Sequence, residues 1–260
     1  MVATRPHTLH TFDERLQEVG RRTLSIAANV EHQWHLIARA LTEREERVGE
    51  RISAEDVRVD LGEVELDEMV LSALITLSPL ASDLRRILAT TKAGRELERA
   101  GDEACNAADR LAEIHGERLA VIDVGLADMA CLVAQQIDDA CVALVDLDVS
   151  LAEATVRRDR VVNESVRALR RRVLELSEDV SVVLPYVSIA RCVERCGDHA
   201  KVIAKLAIAA ATGVDPRHKR ARERAGRGLA LAYFASRSQG ALTHASRWLS
   251  RTRIFARSSS

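Results

Sequence analysis

The chain has 260 residues, 38 basic and 39 acidic, with a formal net charge of −1. At 47% hydrophobic residues it is too apolar for a disordered chain. At 3% aromatics, with 12 Gly and 4 Pro, it is too poor in strand and turn formers for a sandwich or barrel.

The first segment predicts a long helix. Phe12, Leu16, Val19, Thr23, Ile26, Val30, Trp34, Ile37 and Leu41 recur at steps of three and four, the spacing of one inward stripe. The pattern fades between Glu43 and Arg51. Ser53, with Asp56 three residues on, resembles a capping box that opens a second helix to about Leu77. Ser78–Pro79 then caps and starts a third helix, from Leu80 to about His115 and closed by Gly116. The pattern restarts with helices expected over about Leu119–Leu151, Glu153–Ser177 and Ser181–Ala211. Pro185 is tolerated in the first turn of the last, and Gly213 closes it. Six helices with short connections imply an all-α fold of two tandem three-helix bundles, 1–117 and 118–214, followed by a tail, 215–260.

An internal repeat supports the halves. Glu98-Arg99-Ala100-Gly101-Asp102-Glu103-Ala104 returns as Glu194-Arg195-Cys196-Gly197-Asp198-His199-Ala200, and Asp56-Val57-Arg58-Val59-Asp60 is echoed by Asp159-Arg160-Val161-Val162-Asn163.

No run reaches the roughly 18 apolar residues of a membrane span. The longest, Met69–Ser82, is broken by Pro79, and the N-terminus lacks the apolar core of a secretory signal. Cys105, Cys131, Cys141, Cys192 and Cys196 form no C-x-x-C pair and read as small core residues of a reducing compartment. A cytoplasmic protein is expected.

At 100° per residue, Glu98, Asp102, Asn106 and Asp109 continue the azimuth of Leu84, Leu88 and Thr91. On the last helix, Glu194 and Asp198 likewise share a side with Leu184 and Val187. Carboxylates on an inward or inter-helix face need compensation. Either Arg95, Arg99 and Arg195 neutralise them, or oxygen ligands from neighbouring helices converge on a cation. Gly101 and Gly197, helical glycines at matching places, predict a close approach by a neighbour. The alternative function is therefore a carboxylate-bundle metal protein with redox or hydrolytic activity. Against it, the Glu-x-x-His pair of ferritin-like oxidases is missing. The pairs His7/His10 and His32/His35 read as surface or helix-end histidines. No phosphate loop, nucleophile elbow or H-E-x-x-H occurs.

The repeated Glu-Arg-x-Gly-Asp-x-Ala, preceded in the first half by Pro79-Leu80-Ala81-Ser82-Asp83-Leu84-Arg85, resembles the PhoU family of phosphate-transport regulators over about residues 9–213. The resemblance implies a non-enzymatic negative regulator of phosphate uptake and phosphate-starvation signalling. Such a protein is an adaptor between the phosphate ABC transporter and its sensor histidine kinase, and a homodimer. Some members bind iron or zinc clusters through Glu/Asp-x-x-x-Asp motifs. The matching positions are Asp56, Asp60, Glu98, Asp102, Asp159, Glu194 and Asp198. The sequence departs from the pattern at Asn163, Val202 and Lys205, each of which lacks an oxygen ligand usual in the family, so metal is expected chiefly in the first half.

The tail holds eleven Arg and Lys against Asp215 and Glu223, a charge of +9, whereas residues 1–214 carry −10. With Tyr233, Phe234, Trp248 and Phe255 interleaved, it is expected to be flexible and to touch anionic membrane surfaces; no nucleic-acid partner is expected.

Overall fold

The computed structural model describes residues 6–43, 47–77, 79, 81–114, 125–176 and 179–214. The boundary expected at 117/118 and the tail from 215 lie outside the described residues, as do the side chains of His7, His10 and Phe12. Among the described residues there are six helices and no strand: α1 (Pro6–Glu43), α2 (Val48–Leu77), α3 (Ala81–Ala112), α4 (Leu126–Asp146), α5 (Val149–Leu176) and α6 (Val180–Thr212). The described residues all belong to one compact unit.

The α1 stripe is buried as its spacing predicts. Leu16, Val19, Thr23, Ile26, Val30, Trp34 and Ile37 all lie inside, and the Thr23 hydroxyl donates to the Val19 carbonyl at 2.9 Å. The Trp34 indole donates to the Ala100 carbonyl at 3.2 Å, tying α1 to α3. Each half is a three-helix set in which α2 packs on α1 and α3, and α5 on α4 and α6. The halves join through their inner helices, α3 against α6 and α1 against α4. Ala100, Ala104 and Ala107 of α3 are buried, like Ala200, Ala204 and Ala207 of α6. Small side chains shorten the distance at which two helices pack, which explains a core built with few aromatics. Arg195 to Glu103 (2.7 Å) and His199 to Glu96 (2.7 Å) also span α3 and α6.

Several helix ends differ from the sequence expectation. Helix α2 starts at Val48, so Ser53 lies inside it and caps nothing; buried Val48 and Ile52 extend the inward stripe backwards. Helix α3 ends at Ala112, and α4 begins at Leu126, after Gly125 in the left-handed region at φ 75°. The break after α4 falls at Leu147–Asp148, earlier than expected. Leu147 adopts φ 56°, the Asp148 N–H donates to the Ala143 carbonyl, and the Asp148 carboxylate accepts from Leu151 N–H at 3.0 Å. A local hydrogen-bonded stop and an Asp start thus override a hydrophobic period that runs through the junction. Asp179 caps α6 by accepting from Ser181 N–H at 2.9 Å. Pro185 then sits beyond the first turn, where its missing N–H removes one helical bond. Cys131 is exposed, unlike the buried Cys141, Cys192 and Cys196.

Candidate metal centre and its counterpart in the second half

The acidic stripe does not face the core. Leu84 and Leu88 are exposed, as are Asp60, Asp102, Asn106, Asp109 and Asp198, while Asp56, Glu98 and Glu194 are half-buried. The inward side of α3 is carried by Ile87, Leu97, Ala100 and Ala104. Azimuth alone assigns residues to a common face, but which face turns inward depends on the neighbouring helices. Asp159 is the exception among the candidates, being buried.

In the first half, α2 and α3 bring Asp56, Asp60, Glu98 and Asp102 into one field of negative charge. Partial burial raises the Asp60 carboxyl, and the charges of Asp56 and Asp102 raise it further. Burial likewise raises Glu98, with Asp102, Asp60 and Glu63 adding to it and Arg99 opposing. Burial and Asp56 raise Asp102, against a lowering influence of His199. The Asp56 carboxylate accepts from the Gln33 amide at 3.1 Å. It also meets the Cys105 thiol, which burial and Asp56 push up to about 12.

The arginines expected to neutralise the two motifs form their ion pairs with other acids, and only Arg99 acts on Glu98, through its charge. Arg95 pairs with Glu63 at 4.0 Å, Arg99 with Glu96 at 3.9 Å and Arg195 with the buried Glu103. Arg95 thus turns to α2, Arg99 back along its own helix, and Arg195 across to α3.

The second half solves the same problem internally. Lys201 donates to Asp159 at 2.6 Å and to Asp198 at 3.4 Å. Burial pulls the ammonium down, yet the hydrogen bond and charge of Asp159, helped by Asp198, raise it on balance. Asn163 donates to Asp159 at 3.1 Å, and Arg170 binds Glu194 at 2.7 Å. At the repeat position of Lys201 the first half has Cys105. A thiol that stays protonated brings no charge, so the first half lacks the cation that the second half supplies.

These donor sets decide how a metal would fit. Carboxylates with raised proton affinity, beside the buried Gln33 Oε1 that has no hydrogen-bond partner, match a hard or borderline cation. Among the described residues, however, no three His, Cys, Asp or Glu groups converge as placed on one ion position. In the second half the donors do not fit, because Asp159, Glu194 and Asp198 already hold Lys201 and Arg170. His32 and His35 are exposed on α1, and His35 lies 3.5 Å from Glu31.

Gly101 makes the close approach predicted for it. A Cβ there would stand 3.0 Å from Asp56 Oδ1 and 3.1 Å from Gln33 Oε1. At Gly197 the nearest atom, Gln136 Oε1, would lie at 3.4 Å, an ordinary contact. Gly197→Ala should therefore gain the helix preference of Ala, about 0.5–1 kcal/mol. Gly101→Ala should lose that gain by displacing the Gln33–Asp56 pair. Urea unfolding of the two variants checks the contrast; equal stabilisation of both would contradict it.

Gln33, Gln136, Cys105 and Lys201 were not among the sequence candidates. The 103-residue offset that relates Asp56 to Asp159 also relates Gln33 to Gln136, so extending the repeat register upstream would have exposed the pair.

The raised carboxyls give a pH expectation. A carboxylate harder to ionise in the folded than in the unfolded chain costs stability above its unfolded value, and the cost vanishes as the pH falls below it. Asp102→Asn should thus melt higher than the parent near neutrality in metal-free buffer. The gap should close toward the ordinary carboxylate range near pH 4. A gap that widens on acidification would show the carboxylate to be favourably held.

The sequence profile of the PhoU domain matches residues 23–111 and 126–207. A phosphate-specific transport system accessory protein PhoU homolog of Pseudomonas putida is 31% identical, covering 82% of this chain and 85% of its own length. The PhoU accessory protein of Escherichia coli K12 is 26% identical, over 82% of this chain and 90% of its own. The crystal structure of PhoU from Pseudomonas aeruginosa superposes with a TM-score of 0.70 at 27% identity, covering 78% of this chain and 100% of that one. The Streptococcus pneumoniae protein, at 23% identity and a TM-score of 0.73, shares the fold. With the profile matching both repeats, in the halves that carry the duplicated motif, the chain belongs to the PhoU family.

Proposed function

We propose that this chain is a negative regulator of phosphate uptake and phosphate-starvation signalling, a non-enzymatic adaptor between the phosphate ABC transporter and its sensor histidine kinase. The observation that carries the reading is the family match across both repeats, with relatives named as phosphate-specific transport accessory proteins. An adaptor contributes a coupling free energy between the states of its partners, not a chemical step. Long helices with charged outer faces suit that role, and no described helix is long and apolar enough to cross a membrane. Pairing into a homodimer belongs to the same reading.

Deleting the protein should leave phosphate-starvation genes on in rich phosphate and raise phosphate uptake. A deletion strain that still silences those genes, with no second copy present, would overturn the assignment.

The first-half carboxylates add a cation to this reading. Asp56, Asp60, Glu98 and Asp102 would hold iron or zinc, which would neutralise the charge between α2 and α3. Added Zn²⁺ should raise the melting temperature of the metal-free chain, and Glu98→Gln with Asp102→Asn should abolish the rise. Equal rises in both proteins would place any metal elsewhere.

A further inference from the structure

Large apolar side chains facing water in a row call for a partner. On α2, Val57, Leu61, Val64, Leu71 and Ile75 are between 53% and 73% exposed. Their spacings of 4, 3, 7 and 4 are those of a heptad seam, with Glu68 at the interrupted position. The α2–α3 turn brings Leu84 and Leu88, also exposed, to the same end of the helix pair as Leu71 and Ile75. This surface lies opposite the buried side of α2, formed by Ile52, Val59, Leu66, Val70 and Ala73.

The bundle does not require such a surface. In α5, Arg160, Glu164 and Arg167 stand at the repeat positions of Val57, Leu61 and Val64. Of the seam's counterparts only Leu174, at that of Leu71, is an exposed apolar residue, and Ile75 matches Glu178 in sequence. Helix α2 carries eight acids and two arginines, whereas α5 carries four acids and seven arginines. The apolar seam bordered by carboxylates is thus a property of the first half alone.

We propose that the outer face of α2 docks an amphipathic helix of a partner protein, one with apolar residues at heptad spacing and Lys or Arg beside them. Charge selects this occupant. A second copy paired α2 to α2 about a two-fold axis near the middle of the seam would set Asp67 and Glu68 of one chain against the same two of the other, whereas Glu65 is already paired with Arg22. An anionic lipid surface would be repelled by the same border. A basic helix meets both features, laying its apolar face on the seam and its cations against Asp67 and Glu68.

The inference rests on the adaptor reading for the existence of a protein partner. Its test needs neither transporter nor kinase, so the two can fail separately. A fluorescent synthetic peptide of three Leu/Lys heptads would be titrated into the full chain at physiological salt and followed by anisotropy. Saturable one-to-one binding is expected. The charge-neutral double variant Leu61→Ser/Leu71→Ser should weaken it by about tenfold or more, and Val161→Ser on α5 should not change it. Should the double variant fold poorly by circular dichroism, Ile75→Ser at the end of the seam serves instead. Equal binding by parent and seam variants would show charge attraction alone and overturn the proposal, as would no saturable binding. So would seam variants that dissolve a dimer seen by light scattering, which would assign the face to a second copy.

Discussion

Lys201→Met should destabilise the helical body by about 2–4 kcal/mol, because it strands a buried carboxylate. Asp159 is 3% exposed, and the Lys201 ammonium at 2.6 Å is its only cationic partner among the described ion pairs. Removing one member of a buried pair costs about 3–5 kcal/mol, and the partial exposure of Lys201 places the expected loss toward the lower end. For a body of this size that corresponds to a fall in melting temperature of roughly 5–15 °C. Adding Asp159→Asn should restore most of the loss, since the amide carries no charge to compensate. The pH dependence has a definite sign. A lysine raised in the folded state contributes fully below its unfolded value, near 10.4, and loses that contribution as the pH climbs through the folded value. The gap between parent and Lys201→Met should thus be constant near neutrality and close only in strong alkali. A variant as stable as the parent at pH 7 would mean that Asp159 is compensated by Asn163 alone.

Trp34→Ala should have the other large effect, about 3–5 kcal/mol in urea unfolding. The indole is fully buried between α1 and α3, and its N–H is satisfied by the Ala100 carbonyl. Trp34→Phe keeps much of the apolar volume and gives up that bond, so about 1–2 kcal/mol is expected. A loss below 1 kcal/mol for the alanine variant would show that the small side chains around α3 close the cavity.

The separation between these two residues shows how far the chain could be read without its fold. Trp34 lies on a stripe whose three-and-four spacing is local, and local spacing sets which side of a helix is apolar. The number of helices, the duplication and the motif pair Glu98–Asp102 with Glu194–Asp198 are likewise properties of short segments or of their recurrence. Helix ends were less legible. Val48 and Leu147 are placed by burial of neighbouring turns and by a left-handed residue, neither of which a propensity pattern reports.

Composition, periodicity and repetition by themselves determined an all-α body of two related halves and singled out the pairs Glu98–Asp102 and Glu194–Asp198, since each of these is written in residues close together in the chain. The full set of seven carboxylates came from the resemblance to the PhoU family. Only the tertiary structure decided which carboxylates are compensated. Arg95, Arg99 and Arg195 lie beside the motifs in sequence yet pair with other acids. Lys201 reaches Asp159 from another helix, 42 residues away. The same holds for the outer faces: the seam of α2 and the arginines of α5 are visible as residues, but their exposure follows from α3 packing on α6 and α1 on α4. Charge compensation acts through distance in space, and burial through the neighbours a helix acquires. Neither is encoded by spacing along the helix that carries the residue.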